Sequence, residues 1–250
     1  MSFFKTLLLI PYTILSWGYF VWCVIAHNMV YQPFMWLAKD PQWWSMRSGK
    51  PFLRWGAFML GIKLKPQGIQ NFPKDDTFIV AANHQSLLDI AVHMVFIPRK
   101  FHFFAKKELD SIPFMHSNIK YMGHFAIDRA NPKKALKKMV EVRARVEEGG
   151  NMLIFPEGTR SSTDEVLPFK RGAFILALQT GTPIIPCYIQ GANKIVSKAT
   201  WLTQPGRIDV IYGKPIPVEK IEDPVALKRA SIQLTITVRD AVLELKKTLI

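Results

Sequence analysis

Cysteine is nearly absent: Cys23 and Cys187, 164 positions apart, are the two in this chain of 250 residues. That excludes a disulfide framework and a cysteine-rich metal site, and it suits a reducing, cytosolic compartment. Acid is scarce as well. Nineteen Asp and Glu stand against 33 Lys and Arg, a formal net charge of +14, and the basic residues run from Lys39 to Lys247 rather than gathering in one tail. Such a balance favours an anionic partner, either nucleic acid or a membrane surface. Several motifs are missing. Without a Walker loop or Gly-x-Gly-x-x-Gly, nucleotide hydrolysis and dinucleotide binding have no support. No Gly-x-Ser-x-Gly elbow offers a serine nucleophile. The lack of His-Glu-x-x-His or paired cysteines argues against a catalytic metal, so neither metal nor cofactor is expected.

Charge itself is missing from Thr6 to Ala38, 33 consecutive positions without Asp, Glu, Lys or Arg. Part of the run is long enough to cross a bilayer at about 20 residues per crossing. Pro11, Gly18, Pro33, Ser16, His27, Asn28 and Gln32 interrupt it. The preceding residues hold only Lys5, and no small-x-small cleavage site follows, so the segment is expected to be retained rather than removed as a signal peptide. Trp36, Trp43, Trp44 and Trp55 then mingle with Lys39, Arg47, Lys50 and Arg54, a mixture suited to the headgroup layer. Residues 1–60 therefore read as a helical membrane anchor. It is either a spanning helix followed by an interfacial one or a two-helix hairpin dipping into one leaflet. An anionic membrane surface, and not nucleic acid, becomes the expected partner.

From 61 to 250 the chain alternates strand-like and helix-like segments. Strands are predicted at 62–65, 77–82, 101–105, 123–127, 151–155, 184–189 and 207–212, and helices at 87–97, 132–148, 171–180 and 224–248. Leu87, Leu88, Ala91, Met94 and Val95 would form the apolar face of the first helix. Asn131-Pro132 and Asp223-Pro224 each supply an N-cap followed by proline at the first helical position. The pattern predicts an α/β domain with a mixed, largely parallel sheet flanked by helices. In such sheets ligands gather beyond the carboxyl ends of the strands.

The most informative stretch, Asn83-His84-Gln85-Ser86-Leu87-Leu88-Asp89, follows one of those strands. A histidine five positions ahead of a carboxylate offers a general base with its orienting acid, because the carboxylate fixes the tautomer and leaves the other ring nitrogen to take a proton. Ser86-x-x-Asp89 ahead of an apolar run equally fits a helix capping box. Further stretches, each closing a strand, narrow the choice: Gly123-His124-Phe125-Ala126-Ile127-Asp128-Arg129, Phe155-Pro156-Glu157-Gly158-Thr159-Arg160, and Ile185-Pro186-Cys187-Tyr188-Ile189-Gln190-Gly191.

In this order and spacing the four stretches resemble the motifs of the glycerolipid acyltransferases, in particular the bacterial 1-acyl-glycerol-3-phosphate acyltransferase (PlsC) family, over roughly residues 61 to 215. The resemblance implies that His84 and Asp89 are catalytic. It implies that Lys106, Arg129, Glu157, Gly158, Thr159 and Arg160 bind the phosphate and glycerol of the acceptor. The implied reaction moves a fatty acyl group from acyl-CoA or acyl-carrier protein to the free hydroxyl of 1-acyl-glycerol 3-phosphate, giving phosphatidic acid. Glycerol 3-phosphate, a lyso-ornithine lipid or another lysophospholipid would be acceptors for the same chemistry. A non-enzymatic basic scaffold is the reading from a different class. For some bacterial members the resemblance also implies the hairpin form of the anchor. The expected location is the membrane, with the site on the cytoplasmic face. The other five histidines are expected to be packing or surface residues.

Overall fold

The computed structural model describes residues 3–107, 119, 122–127, 132–197, 200 and 202–249. Two helices come first, α1 (Phe3–Leu37) and α2 (Pro41–Met59), and then β1 (Ile62–Gln67) opens the sheet. There follow β2 (Ile79–Ala82), α3 (Leu88–Phe96), β3 (Phe101–Lys106), β4 (Phe125–Ile127), α4 (Pro132–Glu147), β5 (Asn151–Ile154), α5 (Gly172–Thr180), β6 (Ile184–Gln190), α6 (Ala192–Ile195), β7 (Gly206–Tyr212) and α7 (Pro224–Lys247). All seven predicted strands and all four predicted helices are present.

Among the described residues the seven strands form one sheet in the order β1-β7-β6-β2-β5-β3-β4, antiparallel only between β6 and β7. The central strands β2 and β5 are buried along their whole length, as the uninterrupted apolar runs of a sheet covered on both faces require. Strand alternation divides the core in two. Phe78, Val80 and Ala82 face the cluster that takes in Met46 of α2 and Val92 of α3. Ile79 and Ala81 face the cluster built with Val142 of α4, Phe174 of α5 and Val238 of α7. Full burial of a side chain such as Phe78 or Leu153 contributes about 1.5–3 kcal/mol.

Asp223 caps α7 through the Ala226 amide at 2.6 Å with Pro224 in the first turn, as the sequence signals. Asn131, the other proposed cap, lies outside the described residues. The apolar face expected for α3 is corrected only at Leu87, since Val95 is buried and Leu88 and Met94 pack against the core. Leu87 is 54 % exposed, whereas Asp89, Val92, His93 and Val95 are buried. Internal hydrogen bonds let two polar residues occupy the inner face, which hydrophobic periodicity alone assigns to Leu.

The first two helices are fastened to the sheet. Gln42 of α2 donates to the Phe101 carbonyl at 2.9 Å, and Lys50 donates to the Ile97 carbonyl at 2.7 Å. On α1 the Tyr12 hydroxyl donates to Leu60 O at 2.6 Å, and buried Thr13 accepts the Thr203 amide at 2.9 Å. Elsewhere α1 presents Leu8, Leu15, Trp22 and Met29, spaced by seven and exposed by 55–75 %. No described helix is long and apolar enough to cross a membrane.

Candidate functional site

Five strands, β4-β3-β5-β2-β6, lie side by side and run the same way, so their carboxyl ends share one edge of the sheet. His84 follows β2, Lys106 ends β3, and Phe155 to Arg160 follow β5. The topology thus gathers segments that are far apart in sequence. The position after β4 belongs to Arg129, which lies outside the described residues, as does the side chain of Lys106.

Asn83 sets the base in place. Its amide donates to Ile189 O at 2.9 Å and accepts from Ile189 N at 2.8 Å, which extends the β2–β6 pairing one residue past the end of β2. His84 then turns its Nδ1 onto Asp89 Oδ2 at 2.7 Å. The same oxygen accepts the amides of Gln85 at 2.6 Å and Ser86 at 2.9 Å. Asp89 therefore caps backbone amides and holds the histidine at once, because the tight turn before α3 puts all three donors around one atom. Asp89 is fully buried, whereas the His84 side chain keeps 14 % of its surface exposed. With Nδ1 engaged, Nε2 is the ring nitrogen left for a substrate hydroxyl, and Phe155 stacks on the imidazole at 4.1 Å and 18°.

The turn after β5 is tied to the same histidine. The Ser161 amide donates to His84 O at 2.7 Å, so the segment Glu157–Arg160 hangs directly from the backbone of the base. Gly158 takes φ +68, a conformation that favours glycine. Glu157 is 3 % exposed and accepts the Leu167 amide on Oε1 at 3.1 Å. Burial pushes its carboxyl up to about 7, against the downward pull of the Leu167 and His84 backbone donors. Thr159 is exposed and Arg160 is half-buried, and each is engaged in an interaction.

Sequence reasoning missed Lys170. Its backbone amide donates to Pro156 O at 2.8 Å, and its Nζ sits 2.8 Å from the point a Gly158 side chain would occupy, which brings a further cation over the turn. Only its basic character signalled it. Phe155, Asn83 and Ser161 lay inside or beside the quoted motifs, but their contacts depend on neighbours distant in sequence. Among the described residues no three His, Cys, Asp or Glu side chains are grouped to hold a metal ion.

The arrangement presents a hydrogen-bonded base, a second ring nitrogen and a cation-bearing turn tied to the backbone of that base at one end of the sheet. That combination serves proton removal from a hydroxyl beside an anionic group. Three comparisons bear on it. A protein named 1-acyl-sn-glycerol-3-phosphate acyltransferase from Cocos nucifera is 39 % identical over 146 residues, covering 58 % of this chain and 47 % of that protein. The protein of the same name from Saccharomyces cerevisiae is 36 % identical over 166 residues, 65 % of this chain and 54 % of that one. The chain spans about half the length of the curated relatives it matches. The crystal structure of the 1-acyl-sn-glycerophosphate acyltransferase PlsC from Thermotoga maritima superposes with a TM-score of 0.78 at 28 % identity, covering 98 % of each chain. Residues 63–190, just over half of the chain and all of the site described above, match the Acyltransferase family, and the chain belongs to that family.

Proposed function

We propose that the protein acylates the free hydroxyl of 1-acyl-glycerol 3-phosphate to give phosphatidic acid, with acyl-CoA or acyl-carrier protein as donor. The observation that carries this reading is the 2.7 Å contact of His84 Nδ1 with Asp89 Oδ2, which leaves Nε2 as the ring nitrogen for the hydroxyl. Nε2 takes the hydroxyl proton as the oxygen attacks the thioester carbonyl. The tetrahedral intermediate collapses with cleavage of the C–S bond. The departing thiolate receives the proton from the imidazolium, and the ring returns to its starting state. Asp89 stabilises the transient imidazolium throughout.

Arg160 and Arg129 are assigned to the acceptor phosphate as bidentate donors, with Lys106 and Lys170 as point charges. Glu157 orients Arg160 toward the acceptor, Gly158 shapes the turn, and Thr159 joins the acceptor-binding groups. Residues 1–60 serve as the membrane anchor and 61–250 as the catalytic domain. The exposed apolar face of α1 supports an anchor lying in one leaflet of an anionic membrane on the cytoplasmic side, with the acceptor entering from the bilayer. The shared chemistry of other lysolipid acceptors is settled by assay. The full chain in vesicles is given a panel of lysolipids with each thioester donor, and the products are read by mass spectrometry. Phosphatidic acid formed from the lysophosphatidic acid arm is the expected product, and thiol release that ignores the lysolipid would sink the proposal.

A further inference from the structure

Asp89 uses its two oxygens unequally. Oδ2 takes three donors, whereas Oδ1, equally buried, has no partner among the described residues. A buried carboxylate oxygen left unserved is more costly than an ordinary lost hydrogen bond. One helical turn further along the inner face of α3 stands His93, fully buried, with the complementary defect. Its Nδ1 meets the Tyr212 hydroxyl at 2.8 Å, and its Nε2 is buried without a partner among the described residues. Side chains in a helix lean back over the preceding turn, so the His93 ring leans toward Asp89.

Burial pushes His93 down to about 3, and the neighbouring His84 acts in the same direction, so the ring is neutral and carries one N–H. Two tautomers are then possible. If Nδ1 carried the hydrogen, the buried Tyr212 hydroxyl would lose its acceptor, Nε2 would be a bare lone pair, and Asp89 Oδ1 would stay unserved. If Tyr212 donates to Nδ1, only two unmet groups remain, the Nε2–H donor and the Oδ1 acceptor. Those two match.

We propose that His93 is a positioning residue for the catalytic dyad: Tyr212 fixes its Nδ1, and its Nε2–H serves the second oxygen of Asp89 through one ordered water. The proposal deepens the reading of His84 as the base and rests on it. Held on both oxygens, the carboxylate cannot rotate about its Cβ–Cγ bond, and Oδ2 stays aimed at His84. Phe155 touches both rings, at 4.1 Å from His84 and 5.9 Å from His93, and closes one side with hydrocarbon. The other titratable groups facing Asp89 are Cys187 of β6, in register with Tyr212 of β7, and Glu157 of the turn after β5. Burial raises both the thiol and the phenol, so neither is a charged rival for that oxygen.

The test uses the full chain, labelled with ¹⁵N-histidine in detergent micelles. The His93 signals should report a hydrogen on Nε2 and a bare Nδ1, unchanged between about pH 5 and about pH 9. A ring protonated on Nδ1, or on both nitrogens at the acid end, overturns the proposal. In a kinetic arm, His93→Met is expected to lower kcat about tenfold with KM for the lysolipid within about twofold, the smaller effect of losing a hydrogen bond to a charged group. His93→Gln places an amide N–H near the Nε2 position and should recover most of the loss. Equal losses in the Met and Gln variants overturn the relay. Should His84→Ala retain full turnover, the reading of His84 as base fails while the tautomer result stands apart, so the two failures are distinguishable.

Discussion

Glu157→Gln is expected to change the way stability depends on pH, and not merely its level. The carboxyl is 3 % exposed and its pKa is raised by burial from 4.5 to about 7. A group raised in the folded state stabilises the fold fully below its unfolded value and loses that contribution as pH rises through the folded one. The window therefore runs from about 4.5 to a little above 7. The difference of about 2.5 between those two values, at about 1.4 kcal/mol per pH unit, amounts to roughly 3 kcal/mol. At about 2–4 °C per kcal/mol for a chain of this size, that is roughly 6–12 °C in Tm. Glutamine is neutral at every pH and still accepts the Leu167 amide, so the variant lacks the ionisation cost. Thermal melts of both proteins near pH 5 and near pH 8.5 give the double difference in which all other titrations cancel. The variant should gain on the wild type by several degrees toward alkaline pH. A gap that stays constant would show that Glu157 ionises freely in the folded protein and would refute the burial argument.

Other outcomes follow from the same geometry. His84→Ala should lower kcat by at least ~10²-fold, the lower end for loss of a general base, as measured by thiol release. Gly68→Ala should destabilise the fold by more than the roughly 1–2 kcal/mol of a left-handed residue, read by denaturant unfolding. Its φ is +76, and the added carbon would stand 1.9 Å from the Tyr212 carbonyl oxygen, so the loop after β1 must shift. Lys170→Ala is expected to raise KM for lysophosphatidic acid about tenfold, as loss of a charge-assisted contact predicts, with a much smaller change on an uncharged lysolipid. Equal changes on both would assign Lys170 to the turn rather than the phosphate. Replacing the exposed Leu15 and Trp22 by Asp should release the chain from anionic vesicles in a flotation assay, because each removes apolar surface from the interface without touching the core.

The sequence by itself determined the fold class and every strand, because the buried central strands are continuous apolar runs and the last helix carries its own cap at Asp223-Pro224. It also fixed the His84–Asp89 pairing, whose five-residue spacing needs only one local turn. Tertiary structure decided the rest. That His93 occupies the inner face of α3 while Leu87 faces out follows from a hydrogen bond to a partner elsewhere, Tyr212, 119 residues away. Lys170 reaches the turn at Gly158 only because the chain folds back onto Pro156. The neutral preference of Glu157 arises from burial, which has no local signature in Glu-Gly-Thr-Arg. Periodicity records which face is apolar on average. The contacts that satisfy a buried polar group are set by which distant strands lie side by side, and only the sheet order supplies that.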